Sequence, residues 1–364
     1  EFHFYFQLMS ILRMARHNIP ECDRTQSWNE LILFHARDAW LQSCFIGNRH
    51  LTEGEKVVNT AELQTQDLGN GITCIDTGYT RPGMTACYLI QQGDYAGFIE
   101  TGVNRNVPGL LSLLERKGVA PERVSHIMPT HVHLDHAGGV GALMQALPNA
   151  RLMIHPRGAR HMIDPGKLVA GTAAVYGEEK FAELYGELIP VSAERVTEVN
   201  DGYELDFHGR ILRFIDTPGH ARHHYCVYDS FSKGIFTGDT MGLSYPELCS
   251  PNIFSLPTTT PVQFDPQALH NSIDKLMAIN PERLYLTHYG VVEQLEDHAK
   301  QLHEDIDKYV ELAEKMQPAA DVDVLADALN HHLLGRLKRS GSKVEEALAR
   351  QVLHGDVQLN AQGL

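Results

Sequence analysis

The chain has 364 residues and a formal net charge of −15, from 46 acidic against 31 basic side chains. That length can build one large domain or two ordinary ones around a sizeable core. The acidic balance argues against a nucleic-acid surface, which needs concentrated Lys and Arg, and no apolar run approaches the length of a membrane span.

Residues 1–65 form an N-terminal segment with no assigned role. "FHFYFQ" looks like the remnant of a cleavable tag, and "SWNELILFHARDAWLQSCF" has the pattern of an amphipathic helix. Strands follow in "GITCID", "ACYLIQQ" and "YAGFIETG", the last two joined at a Gly93-Asp94 turn. "VPGLLSLLERKG" reads as a helix capped by Gly118, "RVSHIMPT" as a strand and "GGVGALMQALP" as a helix. Residues 156–193 carry two helical patterns, "RGARHMI" and "EEKFAELYGEL", around a Gly- and Ala-rich stretch, and read as an insertion covering the site. "YELDF", "RILRFID", "HYCVYD" and "GIFTGD" are strands, followed by the helix "PQALHNSIDKLMAI" and the strand "RLYLTH". Alternating strands and helices over 66–290 predict a layered α/β catalytic domain. Residues 291–364 read as an entirely helical extension, either a charged appendage or a dimerisation or lid element.

Six cysteines, at 22, 44, 74, 87, 226 and 249, include no C-x-x-C pair, which suggests reduced thiols and a cytoplasmic enzyme. The informative stretch is "THVHLDHAGG", residues 130–139. Alternate side chains of an extended segment share a face, so His131 and His133 can address one point. Asp135 and His136 follow where the chain turns into a helix and can reach a second point nearby. Imidazole suits zinc and iron, and a carboxylate completes such a set. His220, Asp239 and His288 each close an apolar strand, where a sheet holds a ligand rigidly and still exposes it to a cleft. Together these seven residues make two ligand sets for two adjacent divalent cations.

At these residues the sequence resembles the metallo-β-lactamase superfamily, in strand order and ligand order over about residues 71–290. It is most similar to the branch with glyoxalase II, the acyl-homoserine lactonases and the alkylquinolone-pathway thioesterases. The resemblance implies a four-layer αββα sandwich with the site at one edge between the sheets. It implies one ion on His131, His133 and His220, a second on Asp135, His136 and His288, and Asp239 bridging both with a water or hydroxide. The expected cofactors are two divalent ions, zinc first, with iron or manganese acceptable to the same donors.

Two positions depart from the pattern. Glu100 stands where an aspartate is more usual, with a supporting role expected. The lactonases usually offer a tyrosine three residues beyond the bridging aspartate; here Gly242 holds that position and Tyr245 is the nearest tyrosine. The implied activity is hydrolysis of a carboxylic ester, thioester or lactone by a metal-bridging hydroxide, with Asp135 as the catalytic proton shuttle. The alternatives are a small phosphodiester or phosphotriester hydrolase, a mono-iron persulfide dioxygenase, and a non-catalytic regulatory member. Arg222, His224 and Tyr245 are candidate substrate contacts, although His224 reads more readily as supporting structure. His155 is a cleft or strand-end residue, and His298, His303, His331 and His332 are expected on solvated helix faces. The expected partner is a small-molecule substrate, without nucleic acid or membrane, and a homodimer through the C-terminal helices is an open alternative.

Overall fold

The computed structural model describes residues 62–249, 251–260, 262–316 and 321–364. The helix expected in "SWNELILFHARDAWLQSCF" lies outside those residues. Two mixed sheets dominate the rest. The first runs in the order β1 (Thr65–Asp67), β2 (Ile72–Asp76), β3 (Ala86–Gln92), β4 (Tyr95–Ile99), β5 (Val124–Met128), β6 (Arg151–Ile154) and β7 (Val196–Glu198). Its pairings are antiparallel up to β4 and parallel beyond it. The second sheet contains β8 (Glu204–Phe207), β9 (Arg210–Asp216), β10 (Tyr225–Asp229), β11 (Gly234–Phe236), β12 (Arg283–Leu286) and β13 (Gly290–Val292) in sequential spatial order. Only β11 and β12 pair in parallel there.

The helices are α1 (Val107–Arg116), α2 (Leu134–Ala137), α3 (Val140–Ala146), α4 (Pro156–Ile163), α5 (Gly166–Tyr176), α6 (Glu178–Tyr185), α7 (Pro266–Met277), α8 (Leu295–Lys315), α9 (Val322–Arg339) and α10 (Glu346–Gly363). Because side chains alternate along a strand, each buried strand feeds two layers. In β3, Cys87 and Leu89 join a cluster with Leu110 of α1 and Leu143 of α3. Its Tyr88 and Ile90 instead meet Phe214, Val227 and Phe236 of the second sheet. In β12, Tyr285 belongs to that inter-sheet core, whereas Leu284 and Leu286 pack with Leu269 of α7 and Leu302 of α8. The result is helix, sheet, sheet, helix, as the family resemblance implies. Each fully buried large apolar side chain in these layers contributes roughly 1.5–3 kcal/mol.

Two expectations need correction. The Gly- and Ala-rich stretch of the insertion is the helix α5, so the insertion holds three helices where two were expected. Ala, Leu and Lys are good helix formers, and Gly177, at φ +83°, ends the helix. Its Leu168, Val169 and Ala173 pack with Val103, Leu134, Phe181 and Tyr185 in a small separate core. The C-terminal segment is not helical from its start: Gly290–Val292 forms β13, antiparallel to β12. Beyond it, Tyr309, Leu329, Leu333 and Leu353 of α8 to α10 pack on Leu243, Tyr245, Phe254 and Leu256, in the connection after β11. No helix among the described residues is long and apolar enough to cross a membrane.

Candidate metal centre

Local backbone geometry explains the site. β5 delivers an extended segment, and His133 (φ −62°, ψ 145°) is the N-cap of α2. His131 and His133 therefore precede the helix, and Asp135 and His136 occupy its first turn. His220 follows β9, Asp239 follows β11 and His288 follows β12. Two of these turns require glycine. A Cβ on Gly219 (φ +134°) would lie 2.4 Å from the Leu269 Cα, and one on Gly238 (φ +47°) would lie 2.4 Å from the His224 Nε2.

All seven expected ligands converge in two groups, His131–His133–His220–Asp239 and Asp135–His136–His288. Within each group, one donor atom per residue lies within 4.8 Å of every other. Asp239 joins the groups. Its Oδ2 lies 3.4 Å from His220 Nε2, and its Oδ1 lies 3.2 Å from His136 Nε2 and 3.5 Å from His288 Nε2. Asp135 Oδ2 is 3.4 Å from both His136 Nε2 and His288 Nε2.

The far side of four of the five rings is tied down, which turns the near nitrogen of each toward the centre. His136 Nδ1 donates to Glu100 Oε1 at 3.1 Å, and His288 Nδ1 donates to the Met84 carbonyl at 2.9 Å. His220 Nδ1 meets the Thr258 hydroxyl at 2.9 Å, and His131 Nδ1 meets the Thr130 hydroxyl at 3.1 Å. These tautomers follow from the hydrogen-bond network. Three converging atoms, His131 Nε2, His136 Nε2 and Asp239 Oδ1, are buried without a hydrogen-bond partner. An unsatisfied buried polar atom costs about 1–3 kcal/mol, so the centre is built around something other than its own side chains.

Charge divides the groups. Burial holds His131, His133 and His220 below the usual imidazole range, which keeps them neutral donors. Burial opposes a charge on His136 and His288 too, but Asp135 and Asp239 outweigh it. His136 is held well above the usual range, and His288 is raised to about 9. Against their own burial, Asp135 and Asp239 are held low by His136 and His288. The two carboxylates thus favour positive charge in the second group, which is the charge a bound cation brings. Neutral imidazoles, two carboxylates and orphaned lone pairs fit divalent cations.

The Metallo-beta-lactamase superfamily model matches residues 80–288, more than half of the chain. The chain belongs to that superfamily. A metallo-beta-lactamase fold-containing protein of Sulfurisphaera tokodaii is 28% identical over 228 residues, 61% of this chain and 79% of that protein. The hydroxyacylglutathione hydrolase of Aeromonas hydrophila subsp. hydrophila is 27% identical over 177 residues, 48% of this chain and 52% of its own. A crystal structure of an archaeal superfamily protein from Sulfolobus tokodaii superposes with a TM-score of 0.54 at 25% identity, covering 78% of this chain and 99% of that one.

Other residues of this superfamily member divide into supports and bystanders. Glu100 is fully buried beneath the centre and also accepts from the Thr130 amide at 3.0 Å and its hydroxyl at 2.5 Å. His224, a candidate substrate contact, is fully buried: its Nε2 accepts from the Asp239 amide at 3.1 Å, and its Nδ1 meets Thr217 and Thr240. It braces Asp239 and offers substrate no surface. Tyr245 is also fully buried, its hydroxyl donating to Asp356 at 3.2 Å, so it too faces away from substrate. Arg222 is exposed, and its amide donates to Gln263. His155 caps α4 and pairs with Asp216 at 3.1 Å. His298 is fully buried rather than solvated, accepting from Ser255 and donating to the Met241 carbonyl. His332 pairs with the buried Asp305 at 2.8 Å, and His303 lies against His270. Thr258 and Asn360 were missed from the sequence and carry no local signal; both belong to the surroundings of His220.

Proposed function

We propose that this protein is a dinuclear metal-dependent hydrolase of ester-type bonds, with a thioester or carboxylic ester as substrate. His131, His133 and His220 would hold one cation, Asp135, His136 and His288 the other, and Asp239 would serve both. The observation that carries the reading is the split of the Asp239 carboxylate, one oxygen toward each group. A single-ion chemistry has no use for the complete second group. When bound, such cations polarise a carbonyl oxygen and acidify a water.

The chain's own residues supply position and proton handling. Only His133 and Asp135 of the seven are incompletely buried, so substrate approaches from their side. Asp135, with a side chain 21% exposed, is placed to hold a proton during attack and pass it to the leaving group. Leu134, between them, packs with Phe181 and Tyr185 of the insertion. The Tyr79 and Tyr185 hydroxyls meet at 2.6 Å beside it. Of this aromatic cluster, the half-buried Tyr79 and Tyr176 are the residues placed to receive an acyl group. The hydrolase named for hydroxyacylglutathione, a thioester, supports that class above phosphodiesters. The test is a panel of acyl thioesters, p-nitrophenyl esters, lactones and phosphodiesters, with defined metals and a chelator control. Thioester or ester turnover abolished by chelation is expected; turnover that survives chelation defeats the reading.

A further inference from the structure

The histidines of the centre rest on different supports. Those of His131, His136 and His288 belong to the first sheet and its adjoining segments: Thr130, Glu100 and Met84. His220 rests on Thr258, in the long connection after β11, where the described residues form isolated bridges but no strand. We propose that Asn360 of α10 is a positioning residue for the metal centre, acting through Thr258 on the ring of His220. The proposal rests on the metal-site reading above.

The contacts form an unbroken buried chain. Asn360 is 2% exposed, Thr259 0% and Thr258 5%. Asn360 Oδ1 accepts from the Thr259 amide at 2.7 Å, and its Nδ2 donates to the Pro257 carbonyl at 3.1 Å. Its backbone carbonyl accepts from the Thr259 hydroxyl at 2.9 Å. Residue 258 is therefore clamped from both sides, by the carbonyl before it and the amide after it. The Thr258 hydroxyl accepts from His220 Nδ1 and donates to the Asp239 carbonyl at 3.3 Å. That orientation keeps the proton on Nδ1 and the Nε2 lone pair toward Asp239 Oδ2 at 3.4 Å and His133 Nδ1 at 3.0 Å.

One turn earlier on the same helix face, Asp356 accepts from Tyr245, in the same connection. Two polar anchors of α10 thus fall on the segment that follows one ligand and supports another. Partners that orient a ligating imidazole commonly govern cation affinity by 10–100-fold. By reciprocity, a cation that needs His220 held must in turn favour α10 in its docked place.

The experiment compares wild type with Asn360→Ala, Thr258→Val, Thr258→Ser and the Asn360→Ala/Thr258→Val double variant. Zinc affinity is read by competition with a chromophoric chelator, and ligand geometry by the visible spectrum of the cobalt(II) form. Asn360→Ala and Thr258→Val should each weaken zinc about 10- to 100-fold and alter the cobalt bands. The double variant should be no weaker than the worse single, because both act on one ring. Thr258→Ser, which keeps the hydroxyl, should bind within about twofold of wild type. A folded Asn360→Ala with wild-type affinity and spectrum overturns the proposal, as do losses that multiply in the double variant. If Asn360→Ala fails to fold, hydrogen exchange of wild type decides: zinc should slow exchange across residues 346–363, and unchanged exchange there overturns the proposal. A wild-type chain that binds no zinc would instead defeat the metal-site reading itself.

Discussion

Glu100→Gln is the substitution whose consequence can be worked out most fully. Both Glu100 oxygens are buried and receive donors: the Thr130 amide at 3.0 Å, the Thr130 hydroxyl at 2.5 Å, His136 Nδ1 at 3.1 Å and the Thr287 hydroxyl at 3.3 Å. An amide of the same shape has one accepting oxygen. If that oxygen stays with His136 and the two hydroxyls, the new NH2 group faces the Thr130 amide, and two donors oppose each other. One lost bond and one unsatisfied buried amide cost about 1–3 kcal/mol of stability. The bond from His136 also loses its charged acceptor, and charge-assisted bonds are roughly twice as strong as neutral ones. His136 is then held less firmly, and cation affinity should fall about 10- to 100-fold. The backbone stays the same, since Gln meets the same φ of +60° that Glu100 adopts. Chelator competition measures the affinity and thermal unfolding the stability. Affinity within twofold of wild type would refute the idea that Glu100 sets the His136 ring.

Asp356→Asn tests the environment of α10 through pH. Burial raises the Asp356 carboxyl from 3.8 to about 6, although His288 and the Tyr245 hydroxyl oppose the rise. Below about pH 4 the group is protonated in both states and has no effect; between about pH 4 and pH 6 the unfolded chain ionises first and the fold loses about 3 kcal/mol. With cations removed, Asp356→Asn should match wild type at pH 4 and exceed it by up to about 3 kcal/mol at pH 7; parallel urea-unfolding curves across that range would contradict the burial argument. Arg210→Met breaks a buried pair whose Nε to Asp229 Oδ1 distance is 2.7 Å, with both side chains inaccessible. The uncompensated carboxylate should lower stability by about 3–5 kcal/mol, and a loss under 1 kcal/mol would show that water reaches the pair.

Much of the centre was legible because its ligands lie at positions that local sequence defines. The His-x-His-x-Asp-His run spans an extended segment and a helix start, so its two directions follow from backbone periods alone. His220, Asp239 and His288 were found because each ends an apolar strand. The buried role of His298 was hidden by its charged neighbours Glu296, Asp297 and Lys300, although Leu295, Leu302 and Ile306 place it on the apolar face of α8. β13 escaped because three residues of "GVV" show no period, and only its pairing with β12 makes it a strand. The inward turn of Tyr245 and the clamp of Asn360 on Thr259 join residues 111 and 101 positions apart from their partners, and no local pattern encodes such contacts.

The central claim is that Asp239 serves two cations at once. Elemental analysis of protein loaded with zinc and freed of excess metal tests it directly, comparing wild type with Asp239→Ala. Two ligand groups predict two equivalents per chain in wild type and loss of bound metal in the variant. A variant that retains both equivalents would show that the shared carboxylate does not hold the pair, and the mechanism built on it would fail.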